Sequence, residues 1–152
     1  MRQFWIFVHL LGTVFWLGGA WASMIVGLRA KKEGLAALGL AVKLQAAIGR
    51  QVIVPGGVLT VISGLFLTFA MYGGPLVAAP SIWLMVMQGT GLLAAVILLA
   101  ANVPATARLA RLDPMKPDQL PAFQALRKRQ VMAASIGGTL GMIALLSGAL
   151  LR

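Results

Sequence analysis

The chain has no cysteine, one histidine and three acidic residues among its 152. Without cysteine there is no disulfide, no thiolate metal site and no thiol nucleophile. The three acids, Glu33, Asp113 and Asp118, all fall between apolar runs. No carboxylate pair, metal–carboxylate cluster or Ser-His-Asp arrangement can therefore be assembled inside those runs, and no catalytic constellation is visible. Aromatic residues are also few, at 7%. The two links that carry the basic residues contain Phe123 alone, which excludes a nucleic-acid surface built from cations and stacking rings.

What the chain has in quantity is apolar side chain: 60% hydrophobic residues, 11% charged, and a mean hydropathy of +0.92. That exceeds what a water-soluble core of this size encloses, and the lipid bilayer is the expected surrounding. Apolar runs fall at about 3–28, 51–71, 82–101 and 131–151. Each is near the roughly 20 residues that carry a helix across a hydrocarbon core. Spanning strands would show alternation over about half that length, and none is present. The expected fold is all-α: an integral membrane four-helix bundle, one domain over 1–152, arranged as two antiparallel hairpins.

Charge gives these spans an orientation. Of the 13 basic residues all but Arg2 and Arg152 lie in the first and third links, while the second link, "YGGPLVAAPS", has none. Cationic loops stay cytoplasmic, so both termini are expected on the extracytoplasmic side. The net charge of +10 thus reads as a topology signal, with unspecific attraction to anionic headgroups. Arg2 before an apolar stretch ending in "AWA" mimics a secretory signal. The cations that follow oppose export of that link, and the first span is expected to be retained.

The first link, "KKEGLAALGLAVKLQAAIGR", keeps helical apolar spacing and is expected to extend the second helix or lie along the interface. In the third, "LDPMKPDQLP" breaks the helix, with Asp118 the expected N-cap and Pro121 in the first turn of the fourth. Gly56, Thr60, Gly64 and Thr68 recur every fourth residue in the second span, and Gly137, Gly138, Gly141 and Gly148 supply the fourth. Small residues of this kind let helices approach, within a bundle or between two copies of the chain. Pro55 is expected to bend the second helix. "RQV" at 50–52 recurs at 129–131, and both even-numbered spans then carry Gly-Gly and end in Ser-Gly. Duplication of an ancestral hairpin is one reading, but the spacings drift, and positive-inside placement explains the arginines without it.

The histidine lies in "FVHLLGTVFWLGGAW". At about 100° per residue, His9, Gly12, Thr13, Trp16, Gly19, Ala20, Ser23 and Gly27 share one narrow face, while Leu10, Val14, Leu17 and Trp21 point elsewhere. His9 is therefore expected to face the bundle. The stripe Ser81, Gln88, Ala95 and Asn102 in the third span brings Gln88 to a similar depth. Two accounts of His9 stand side by side. One is an interhelical hydrogen bond to Gln88, Thr68 or a carbonyl. The other is a ligand to haem iron or another metal, since an ionisable residue inside a membrane marks a functional candidate. Met85 and Met87 lie about 160° apart on a helix and cannot clamp one ion, so the methionines are expected to pack.

The pattern His9-x6-Trp16-x-Gly18-Gly19, with "PGGVLTVISGL" at 55–65 and Trp83 opening the third span, resembles a four-helix bacterial membrane superfamily. It includes copper-resistance D-like proteins, HemJ-type protoporphyrinogen oxidases and small uncharacterised relatives. The resemblance implies a bacterial inner-membrane bundle. HemJ-type proteins carry an essential histidine at the position matching His9 and bind b-type haem, which implies His9 as axial ligand here. Trp16 and Gln88 would then form pocket walls, and Arg2 or Arg152 would meet the propionates. HemJ-type proteins also place a lysine about a turn after the third-span tryptophan, where this chain reads "WLMVMQG" with Met87 and Gln88. The oxidase activity is therefore not implied. The alternatives are a non-catalytic assembly or homodimerising module, in which His9 only bonds between helices, and a copper-handling membrane protein.

Overall fold

The computed structural model describes residues 2–72 and 81–151, and over them the chain is helical, with no strand. Helix α1 (Arg2–Glu33) ends at Gly34, whose φ of 105° is open to glycine at little cost, and α2 (Leu35–Ile48) starts directly after it. A π turn at Gly49–Ile53 joins α2 to α3 (Val54–Tyr72) without a break. Then come α4 (Ile82–Ile97), a second π turn at Leu98–Asn102, α5 (Val103–Leu109) and α6 (Leu120–Ala149). Counted through the π turns, four helices are long and apolar enough to cross a membrane: Arg2–Glu33, Leu35–Met71, Ile82–Leu109 and Leu120–Ala149. This is a multi-pass membrane protein built as a helix bundle. The helices run past the apolar runs, most of all in the first link, which forms α2 as a continuation of the second helix.

Both π turns have the same cause. Each is followed by Val-Pro, at Val54-Pro55 and Val103-Pro104. A proline donates no N–H, and its ring collides with the carbonyl four residues back. Widening the helix just before it relieves the collision: Val54 N–H reaches Gly49 C=O and Val103 N–H reaches Leu98 C=O, both five residues back. The second turn shapes the third span, where the sequence drew attention only to Pro55.

The expected inward face of α1 is the observed one. Gly12, Trp16, Gly19 and Gly27 are buried, His9, Thr13, Ala20 and Ser23 are half-buried, and Leu10, Val14 and Trp21 are exposed. Leu17 departs from the expectation. It is half-buried, with a methyl 3.0 Å from where a Cβ of Gly141 would lie, because the absent side chain leaves α6 a hollow at that point. The closest helix crossing joins α1 to α3: a Cβ on Gly12 would sit 2.8 Å from the Gly56 carbonyl, and one on Gly56 would sit 2.7 Å from the Trp16 amide. Only glycine permits backbones at that distance, the packing mode lipid-embedded helices depend on. Next to this crossing Trp16 meets Ile53, Ala94, Ala95 and Leu98, so both π turns feed one apolar core. A second core at the basic end joins Val42, Leu109 and Phe123.

Between the two cores lies a polar layer to which every long helix contributes. Gln45 donates to the Ser23 carbonyl (2.6 Å) and accepts from Arg127 (2.7 Å). Arg127 also donates to Gln130, whose amide donates to Thr106 Oγ1 (3.1 Å), and Thr106 in turn donates to the Asn102 carbonyl (2.8 Å). The N-cap expectation for Asp118 does not hold: Gln119 holds that position in α6, with no side-chain cap, although Pro121 is in the first turn. The Gln119 side chain turns back to accept the Asp113 amide (2.8 Å), while Asp113 Oδ1 accepts the Met115 amide (3.0 Å), closing the link on itself.

Candidate functional site: an imidazole on the seam of two helices

His9 meets α3 where α3 has a small-residue face. Gly64 makes room for the ring, whose Cε1 lies 3.1 Å from the position of a Cβ there. Along this face the hydroxyls donate back to carbonyls of their own helix: Thr60 to Gly56 (2.9 Å), Ser63 to Leu59 (2.5 Å) and Thr68 to Gly64 (2.9 Å). Each has one proton, so each hydroxyl oxygen is left as an acceptor toward its neighbours.

That accounting fixes the histidine. His9 Nδ1 lies 2.9 Å from the Thr60 carbonyl and 3.2 Å from Ser63 Oγ. A carbonyl only accepts, and the Ser63 proton is engaged elsewhere, so Nδ1 carries the hydrogen and donates it. In the neutral ring the lone pair is then on Nε2, and no described residue bonds that atom. Thr13 Oγ1 donates to the His9 carbonyl (2.8 Å), tying the local turn of α1. Ser63, fully buried, underlies the ring. An Nδ1–H held by a backbone carbonyl is the arrangement that orients an imidazole for ligation through Nε2 and raises its basicity.

The other residues singled out by sequence fall around this point unequally. Gln88 donates to Thr68 Oγ1 (2.8 Å), not to His9. Both side chains are fastened to α3, about a turn apart, and Gln88 Oε1 has no partner among the described residues. Trp16 is about 10 Å from His9 along the α1 axis and belongs to the apolar core. Arg2 is exposed, two turns before His9, and Arg152 lies outside the described residues. The sequence did not single out Ser63, or the stack of Trp5 on Phe66 one turn from His9 (centroids 4.4 Å, 16°). Phe4 lies edge-on to Trp5 at 5.6 Å. The spacing of Trp5 and His9, four apart, and of Ser63 and Phe66, three apart, was the available signal. It pairs each ring with a polar neighbour on the same helical face.

Among the described residues no three His, Cys, Asp or Glu side chains come together. A bare copper ion needs several soft or imidazole donors from the protein. Haem iron already has four pyrrole nitrogens and needs one or two more ligands. A single imidazole with a free Nε2 fits the second requirement. Comparison with known proteins finds no matching family model, curated protein or solved structure.

Proposed function

We propose that this is a small membrane protein of haem-related or redox function that binds b-type haem through His9 Nε2, as its resemblance to the copper-resistance D-like and HemJ-like superfamily implies. The observation that carries the proposal is the Nδ1–H held on the Thr60 carbonyl, which leaves Nε2 as the donor atom. Haem would supply one-electron chemistry at its iron. The chain's own part is to hold and orient. Thr60 and Ser63 fix the plane and tautomer of the imidazole, Gly64 admits it, and Trp5 and Phe66 offer an apolar wall one turn away. Gln88 Oε1 is an acceptor further along the same face of α3, beside Thr68, Arg2 and Arg152 are the cations for propionates, and Trp16 closes the floor toward the core. Among the described residues no carboxylate stands beside His9, and the proposal includes no oxidase activity. Protein purified from haem-replete cells should show a Soret band that His9→Ala abolishes. A variant that keeps full haem occupancy and an unchanged spectrum overturns the ligand role.

One observation favours a second reading, a non-catalytic assembly module: the same Nδ1 bond joins α1 to α3 and is sufficient reason for a histidine in the seam. Colourless wild-type protein from the same cells would select it. Self-association then uses Gly18, Gly89 or Gly138, where a Cβ would meet nothing within 4 Å.

The proposed setting is a bacterial inner membrane, with two antiparallel hairpins and both termini outside the cytoplasm. Rising positions on α1 meet falling positions on α2 and α3, His9 with Thr60, Gly19 with Ile53 and Ser23 with Gln45, which supports the first hairpin. The uneven distribution of basic residues supports the orientation. A cysteine placed at Gly34 should react with an impermeant maleimide only after cell lysis, and one at Gly73 in intact cells; the reverse pattern rejects the orientation.

A further inference from the structure

The polar layer between the two cores contains a cation with no anion. Arg127 is half-buried, and its two protein partners are the neutral carbonyl oxygens of Gln45 and Gln130, both contacted through Nη1. The three acids of the chain are all exposed in the links, and none is bonded to it. Charge withdrawn from water is costly unless an opposite charge accompanies it. An arginine kept for stability alone is ordinarily matched by a carboxylate, and this chain spends none on the purpose.

Arg127 is nonetheless held firmly. Gln45 and Gln130 are both buried, and each is fixed at its other end, Gln45 on the Ser23 carbonyl and Gln130 on Thr106. Gly27 presents bare backbone to the guanidinium, with Nη2 2.6 Å from where its Cβ would be. Nη2 and Nε have no acceptor among the described residues. They are not sealed in either, because among the described residues the only fully buried, unpartnered side-chain polar atom is Ser23 Oγ, in the same layer. The guanidinium is thus oriented by neutral groups, keeps its full charge, and has two N–H directions open. Exposed Lys43, Lys128 and Arg129 on the neighbouring turns add positive potential at the same end. A guanidinium presents its N–H groups in a fork that matches the oxygens of a phosphate.

We propose that Arg127, positioned by Gln45, Gln130 and Gly27, is the anchoring cation of a phosphate site at the basic end of the bundle. The site takes the phosphate oxygens of an anionic lipid headgroup or of free phosphate. It is separate from His9 and stands whether or not haem binds there.

The test uses the purified full chain in neutral detergent or phosphatidylcholine nanodiscs, reading melting temperature and the lipid retained in native mass spectra. Phosphatidylglycerol should raise the melting temperature and be retained where phosphatidylcholine is not. Inorganic phosphate, against chloride at equal ionic strength, separates the sources: an equal rise means that free phosphate is sufficient, and no rise assigns the site to the lipid. Arg127→Gln should lose the response, whereas Lys128→Gln, which removes one charge from an exposed neighbour, should keep most of it. Should Arg127→Gln fail to assemble, Arg127→Lys keeps the charge without the fork and should weaken retention several-fold. Wild-type protein that responds to neither ligand overturns the proposal, as does a folded Arg127 variant with an undiminished response.

Discussion

Two polar layers sit on either side of the Trp16 core, and they differ in what their hydrogen bonds connect. At the His9 end most hydroxyls bond carbonyls of their own helix, and one contact, His9 to Thr60 and Ser63, joins α1 to α3. At the basic end side chains bond side chains across long separations, Arg127 to Gln45 and Gln130 to Thr106, and every long helix takes part. The first arrangement leaves an atom free, Nε2. The second spends most of its groups on one another and keeps only a cation in reserve. Polar residues in a membrane bundle thus serve different ends according to whether their partners are local or distant: local bonding presents a group, and distant bonding fixes the assembly.

The crossing between the layers offers the most severe way to break this comparison. Gly56→Leu would drive a side chain into the Trp16 amide and the Gly12 carbonyl, backbone that cannot yield. Loss of the monodisperse folded protein in size-exclusion chromatography, together with loss of any haem, is expected. A folded Gly56→Leu protein with both layers intact would show that the crossing does not couple them.

Next in size is Gln45→Leu, which removes an acceptor from half-buried Arg127 and the donor to the Ser23 carbonyl. About 2–3 kcal/mol of stability should be lost, because hydrogen bonds to charged groups are the costly ones to leave unmade. Ser63→Ala, at the other layer, should cost about 1 kcal/mol or less, since lipid-buried interhelical bonds are individually weak. Chemical denaturation of the two variants in mixed micelles measures the difference, and equal losses would erase the distinction between the layers.

Gly64→Ala is expected to alter the site more than the fold. The new methyl would lie 3.1 Å from His9 Cε1, so the ring must shift by a few tenths of an ångström. Melting should move by only a few degrees, while the Soret position and the iron–imidazole stretch in resonance Raman spectra should change. The smallest effect belongs to Gln88→Leu. It removes one bond to Thr68, worth about 1 kcal/mol at most, and leaves the His9 bonds to α3 in place. A Gln88→Leu loss as large as that of Gln45→Leu would mean that the His9 layer also fixes the assembly.

Much of the fold was legible because its causes are local. Sixty per cent hydrophobic composition, four apolar runs and a helical period on α1 settle the class, the number of long helices and the buried face of the first. Val-Pro at 54–55 marks where the second helix must adjust. The site was legible in part: His9 and Gln88 could be placed on inward stripes, and an interhelical carbonyl was among the expected partners of the histidine. That the carbonyl is Thr60's depends on how α1 crosses α3, and that Gln88 goes to Thr68 instead depends on how α4 packs against α3. Leu17 and Asp118 went astray for a similar reason, one taken up by a hollow at Gly141, the other displaced by Gln119 turning back to Asp113.

By itself, then, the sequence determined that the chain is a bundle of apolar helices with a lone imidazole on an inward face and its cations gathered into two links. Periodicity and composition act over a few turns of one helix and need no partner. Only the tertiary structure decided which imidazole nitrogen is committed and which is free, and it alone turned Arg127 from one cation among many into the centre of a layer. Both outcomes rest on atoms distant in sequence, Thr60 from His9 by 51 residues and Gln45 from Arg127 by 82. Such atoms are brought within hydrogen-bond reach by glycine-permitted helix crossings, whose position no local pattern encodes.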